Sequence, residues 1–428
     1  MTINNFVWPI QNIQKNPFCT GEKFRPLSIS IDLNNLSGLG AEEKIAIQTI
    51  DDFLDQGIIN LIKIEGSSDP LKINSFDGKI YYEDEFKGMS AIQIHTYLGR
   101  DIFITKDLDL FNDNLDFSDQ NIFLPVEAIR FIGLLARSKN IFELKYMENG
   151  KIQYDRQYFY ILHANKKLPS NLQLLQFLSK INQEKSDIIR DLGLSIKQKS
   201  SFALQSIDEI GQQTFLPQDF NTQQTLLYHF NYFTILLSGA FDSILHIINI
   251  QYDIEKNERN LTSRKNEFIK KIKEFNPELF NLIDTTYLTK TLSILRNTIH
   301  SVSLSTHGIY EVFPQQTHSF LEIPKNNSDD FLSYVDLMGN RLDWGVSIEK
   351  YNLLEKDNTT IKHEYRVLIN PYFFARCLLD KWFNFLEDIA ITITSTFSSF
   401  SENTELNQID PSIKPIDKWL RERLEILL

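Results

Sequence analysis

The sequence predicts an α/β N-terminal domain on a mainly parallel sheet, followed by a mostly α-helical bundle with a small β insertion. Three observations predict it. Short apolar strands alternate with amphipathic helices up to about residue 120, the order that suits a parallel sheet. Thr222–Tyr252 is apolar nearly all round, as a helix central to a bundle is. Strand-like segments separated by NNSDD and EKDNTT then break the helical pattern between Phe313 and Ile369. The expected division is an α/β domain over 1–120 and a helical and mixed connecting region over 121–221. A bundle over 222–400 follows, with its insertion at about 313–369, and then a polar linker and short C-terminal helix over 401–428.

In chain order, PLSISIDL (Pro26–Leu33) alternates apolar and small polar residues and reads as a strand opening into a loop after Asp32. Ala41–Gln56 has helical spacing, Asn60–Glu65 is a short strand, Met89–Leu98 is helical, and DIFIT (Asp101–Thr105) is a buried strand. Val126–Ser138 reads as an amphipathic helix, and a hairpin is expected across Asn149–Gly150, from Phe142–Met147 to Ile152–Tyr154. Leu172–Asp191 is helical. Ser195–Asn221, rich in Gln, Ser and Asp with Gly211 and Pro217, is the expected domain boundary. Leu261–Phe275 is a basic amphipathic helix. Pro277 then opens a helix expected to run through Leu279 to LRNTIHS (Leu295–Ser301), and Pro371 opens the last long helix.

The totals limit the function classes. At 42% hydrophobic and 23% charged residues the chain has the composition of a folded protein. Its net charge of −12 argues against an extended basic DNA-binding surface, though not against a local positive cleft. Cys19 and Cys377 alone give no disulfide framework and no thiolate metal cluster. The N-terminus lacks a basic leader with a long apolar run, and Leu226–Ile250 is interrupted by His229, Asn231, Asp242 and His246. A cytoplasmic protein without a membrane span is the expectation.

LRNTIHS carries the strongest candidate site. Arg296 and His300 are four residues apart, so on a helix they share a face. Arginine presents a fork of donors suited to phosphate, and histidine exchanges protons near neutral pH. RNA cleavage without a metal needs a base, an acid and positive charge at the phosphorane. His300 suits the first two roles and Arg296 the third, with Asn297 as a donor to a phosphate oxygen or a brace for the loop. Asp242 lies in SGAFDSILHI, on the most apolar helix, where an unpaired carboxylate is costly. Arg296 is its expected partner, and His246 shares its face. The plain alternative is a structural ion pair inside the bundle.

The second half, roughly Thr222–Phe397, resembles the HEPN superfamily of helical domains found in RNA-cleaving toxins and defence proteins. The resemblance rests on a long early helix with a polar residue in its middle and a later helix ending in Arg, a polar residue and His. The family spacing is Arg, four to six residues, then His; here three intervene. It implies a metal-independent endoribonuclease, acting as a homodimer on RNA, with a stress, toxin or phage-defence role typical of the family.

In the first half, Asp32 follows one strand, and Asp107 and Asp109 follow another. In a parallel sheet such acids converge at one edge and suit Mg²⁺ or Mn²⁺. This layout, over Pro26–Phe111, resembles PIN-like nuclease domains, with Thr105 and Asp107 in the matching Thr-x-Asp places. The acid that opens the preceding helix in that family falls near Met89 here, with Asp84 and Glu85 the nearest. The resemblance implies metal-dependent hydrolysis, an alternative to the helical site. A third possibility is a non-catalytic RNA- or protein-binding scaffold in which both sites are vestigial. The remaining histidines, His95, His163, His229, His307, His318 and His363, have no metal-ligand spacing. The lysines from Lys265 to Lys273, beside Arg264, read as a solvated helix face.

Overall fold

The computed structural model describes residues 27–32, 40, 43–46, 49–50, 59–64, 73–75, 89–106, 122–146, 150–153, 155–216, 218–257, 261, 265–300, 304–311, 316–354 and 361–395. It is a mostly helical fold with a small, mainly parallel sheet near the N-terminus and an antiparallel sheet in the second half.

The first sheet contains β1 (Leu27–Asp32), β2 (Ile59–Ile64), β3 (Ile73–Ser75), β4 (Ile102–Ile104) and β5 (Ile122–Phe123), in the order β3-β2-β1-β4-β5. Strand β1 runs parallel to both β2 and β4, β5 is parallel to β4, and β3 alone is antiparallel, on the edge. Both faces are covered. Ile29, Ile31, Ile102 and Ile104 join the main core, while Phe103 packs with Ile92 of α1 (Ala91–Tyr97) on the other side. Burial of both faces explains why IFI is apolar without alternation. Ser90 starts α1 with a capping box, exchanging bonds with Gln93.

Five helices connect the sheet to the bundle and begin it. They are α2 (Pro125–Ser138), α3 (Arg156–Lys167), α4 (Pro169–Ile181), α5 (Ser186–Phe215) and α6 (Phe220–Tyr252). Before α3, the hairpin of β6 (Glu143–Tyr146) and β7 (Gly150–Gln153) pairs Tyr146 with Gly150. The expected helix over Leu172–Asp191 is interrupted at Asn182, where a 3₁₀ turn (Gln183–Lys185) precedes α5. The boundary expected over Ser195–Asn221 lies mostly within α5, whose 30 residues pack along α6. Its Ser and Gln residues are helical because Ile196, Ala203, Leu204, Ile207 and Ile210 form a buried stripe. Helix α5 ends at Phe215, and the Asp219 side chain caps α6 by accepting from the Thr222 N–H at 2.8 Å.

Helix α6 is long and apolar enough to cross a membrane by length and composition, yet 67% of its most apolar window is buried inside the fold. It packs against α5, α9 (Leu288–His300) and α11 (Pro371–Ser395). Phe241 lies against Trp382 and Phe385, and Phe230 against Phe374. Between α6 and α9 come α7 (Lys265–Phe275) and α8 (Pro277–Thr285). The single helix expected from Pro277 to LRNTIHS is two helices. The chain breaks at Tyr287, held at φ 53° with its ring stacked on Tyr334, a left-handed position that a non-glycine residue adopts only with such support.

The second sheet, in the order β10-β11-β9-β8, is antiparallel: β8 (Ser305–Glu311), β9 (Gln316–Ile323), β10 (Val346–Leu354) and β11 (Ile361–Ile369). It begins before the expected Phe313. NNSDD, expected as a turn, lies in α10 (Lys325–Met338), which buries Ser328, Phe331 and Val335. Among the described residues, most buried apolar side chains from Leu27 to Ile393 form one contiguous cluster, with two small separate clusters at the first sheet. The expected C-terminal helix Ile416–Leu428 lies outside the described residues.

Candidate functional site

Helix α6 presents one open face. Between Phe230 and Ser243 every side chain is buried except Asn231, Tyr232, Ile235, Gly239 and Asp242, positions that fall on one side of a helix. Asp242 was expected to be buried. It sits at the edge of that face with its side chain 20% exposed, so water offsets part of its desolvation cost.

Helix α9 lies against this edge. It buries Leu288, Thr291, Leu292, Leu295 and Thr298 at helical spacing, which turns Arg296 outward beside Asp242. Arg296 Nη1 is 3.6 Å from Asp242 Oδ2, and the arginine side chain remains 43% exposed. Asn297 and His300 are exposed on the last turn of α9, one residue and one turn beyond Arg296. The four residues singled out in the sequence therefore lie on two packed helices. Arg296 meets Asp242, and its donors and the His300 ring are open to a ligand.

A fifth residue joins them. Lys199 of α5 crosses α6 at Gly239, donating from Nζ to the Gly239 carbonyl and to Ser243 Oγ, each at 3.0 Å. A Cβ on Gly239 would sit 3.3 Å from Lys199 Cε, so the glycine leaves the notch in which the lysine lies. Burial lowers the pKa of the Lys199 ammonium, and the charge of Asp242 opposes that fall. The only sign of this in the sequence is a glycine inside a long apolar helix, a costly residue there unless something approaches closely.

The N-terminal carboxylates are placed differently. Asp32 ends β1 and is 3% exposed, accepting from Thr105 Oγ1 at 3.4 Å. Asp107 and Asp109 lie outside the described residues. Among the described residues no group of three or more His, Cys, Asp or Glu side chains is arranged to hold a metal. No protein family, curated protein or solved structure matches the chain.

Two other polar clusters escaped the sequence reading. On the second sheet, Ser305 Oγ lies 3.2 Å from His307 Nε2, which also meets Glu322. A nucleophile relay needs the acid on the opposite ring nitrogen; here serine and glutamate share Nε2, so the trio is a hydrogen-bonded cluster. It continues to Arg366, which stacks on Tyr351. Deeper in the fold, Asp208 of α5 accepts from Arg137 Nε (2.5 Å) and Nη2 (2.9 Å) of α2 and from the Tyr160 hydroxyl (2.6 Å) of α3. All three are buried. Burial and the neighbouring Asp208 charge raise the Tyr160 pKa well above the usual phenol value, so it stays a donor. Beside Tyr160, a cleft of about 400 Å³ opens between α3 and α5, lined by Gln157, Lys197, Gln198, Phe202 and Gln205. His95 and His163 are wholly buried, and His163 packs near Phe159.

Proposed function

We propose that this chain is a cytoplasmic, RNA-directed, metal-independent endoribonuclease with its site at Arg296, Asn297, His300 and Asp242. The observation that carries the reading is the pairing of Arg296 with Asp242 at 3.6 Å while both Arg296 and the adjacent His300 stay open to solvent. A guanidinium fixed on one side and open on the other is suited to holding a phosphodiester. In the reaction the 2′-hydroxyl gives up its proton and attacks phosphorus. The bond from phosphorus to the 5′-oxygen breaks, and that oxygen takes a proton. The products are a 2′,3′-cyclic phosphate and a 5′-hydroxyl. His300 serves one proton transfer and Arg296 offsets the added charge on the phosphorane. The other proton transfer falls to His300 of a second copy, which gives the HEPN-like homodimer its role. A stress or phage-defence role follows from the same resemblance, and the N-terminal sheet is read as PIN-like.

The test is cleavage of unstructured RNA by the purified chain. Arg296→Ala and His300→Ala are each expected to slow it about 100-fold or more, with cleavage persisting in EDTA. Unchanged cleavage in both variants refutes the reading. Loss of cleavage in EDTA moves the chemistry to a metal held by Asp32, Asp107 and Asp109.

A further inference from the structure

We infer that the open face of α6 is a lane for single-stranded RNA, on which bases stack upstream of the Arg296 site. The inference rests on the reading of that site as RNA-directed and names the form of RNA it takes.

The exposed positions of α6 continue in one line. Tyr228, Tyr232 and Ile235 are 64%, 37% and 46% exposed, and they follow one another at the four- and three-residue steps of a single helix face. The next steps along that face are Gly239, under Lys199, and Asp242, beside Arg296. The rings of Tyr228 and Tyr232 are within 7° of parallel, with centroids 6.4 Å apart. Exposed aromatics on successive turns of a helix whose other side is packed form a contiguous patch of the kind that ligands cover. Two parallel rings present flat faces to successive bases, and stacking is tolerant of sequence because every base has a π-face.

The charges fit the same occupant. Lys199 and Arg296 are cations at the far end of the stripe, where a backbone phosphate has to arrive. At a rise of about 1.5 Å per residue, Tyr232 is about 15 Å and Tyr228 about 21 Å from Asp242 along the helix. That is the reach of a few nucleotides. A duplex keeps its bases stacked on one another and offers none to the tyrosines, so the lane selects single strands.

The experiment measures binding without cleavage. A fluorescent single-stranded 2′-O-methyl oligonucleotide of about a dozen nucleotides, which lacks the attacking hydroxyl, is titrated into the full chain, with the matching duplex in parallel. Each stacked base contributes about 10- to 100-fold in affinity. Tyr228→Ala with Tyr232→Ala is therefore expected to weaken single-strand binding at least 10-fold, while Tyr228→Phe with Tyr232→Phe, which keeps both rings, binds as the parent does. Sedimentation of the same variants reads oligomeric state. The inference is overturned by any of four results: the parent does not bind the single strand, the duplex binds equally, the alanine pair binds unchanged, or the alanine pair changes oligomeric state, which assigns the face to a second copy. Failure of the nucleolytic reading shows separately, as unmodified RNA left uncleaved by a chain that still binds single strands through its tyrosines.

Discussion

The Asp242→Asn substitution separates a working site from a structural ion pair. It keeps the side chain's size and one acceptor for Arg296 and removes only the charge. At 3.6 Å the attraction between two unit charges is about 1 kcal/mol at the dielectric of water and about 5 kcal/mol at an effective value near 20. The Arg296 side chain is 43% exposed and that of Asp242 20%, which places the pair towards the solvated end. After desolvation and side-chain ordering, its net contribution to stability is about 1 kcal/mol or less. Urea unfolding should therefore barely move. Cleavage should fall by about 10-fold or more, because a guanidinium without a charged partner meets the phosphate in a looser geometry. Combining Asp242→Asn with Arg296→Ala should slow cleavage little more than Arg296→Ala alone, since the carboxylate acts mainly by holding the arginine. The reasoning is refuted if Asp242→Asn lowers unfolding free energy by several kcal/mol while cleavage is unchanged.

Further substitutions probe the interior. Asp208→Ala leaves Arg137 charged and buried without its partner, at a cost of about 3–5 kcal/mol by urea unfolding; Arg137→Met with Asp208→Leu should recover most of that, and no recovery would show that the cluster acts through something other than charge. Burial, followed by the positive charges of Lys167, Arg137 and Lys166, holds the His163 imidazole well below its usual pKa. The unfolded chain therefore gains a proton below about pH 6.5 that the folded chain does not, and stability falls as pH drops through that value, by about 1.4 kcal/mol per unit. His163→Leu should remove this component between pH 7.5 and about 5.5, and equal slopes for parent and variant would refute it. Gly211→Ala places a Cβ 2.7 Å from Tyr372 Cε2 and 2.9 Å from Leu134 Cδ2; overpacking of about 1–3 kcal/mol should exceed the helix-propensity gain, and a more stable variant would show that α2 and α11 give way.

Much of the fold was legible because one physical signal dominated each element. Strand β1 alternates isoleucine with small polar residues, β2 and β4 are short and rich in isoleucine, and α2, α6 and α11 carry long buried stripes. Where two signals competed, composition misled. The NNSDD stretch has turn chemistry, yet Ser328, Phe331 and Val335 recur at helical spacing, and their burial put the segment in a helix. Ser195–Asn221 has the Gln, Ser and Asp content of a domain boundary, yet its apolar residues as far as Ile210 keep a 3.6-residue rhythm and lie in α5. The break at Tyr287 had no local signal, because the residue's left-handed backbone is supported by Tyr334, distant in sequence.

The site shows how far a burial argument reaches. An acid on an apolar helix needs a cation, and Asp242 meets Arg296 at 3.6 Å. The rule applies with more force to Asp208, which is closed off with Arg137 and Tyr160, while Asp242 sits at an edge. Depth therefore divides the two acids by role. The buried cluster ties α2, α3 and α5 together through Asp208. The looser pair leaves a guanidinium facing water beside a histidine, and the same edge carries Lys199 in the Gly239 notch and the exposed tyrosines. A guanidinium that keeps 43% of its side chain open to water has capacity to bind something else, and Arg296 holds that place beside the exposed face of α6.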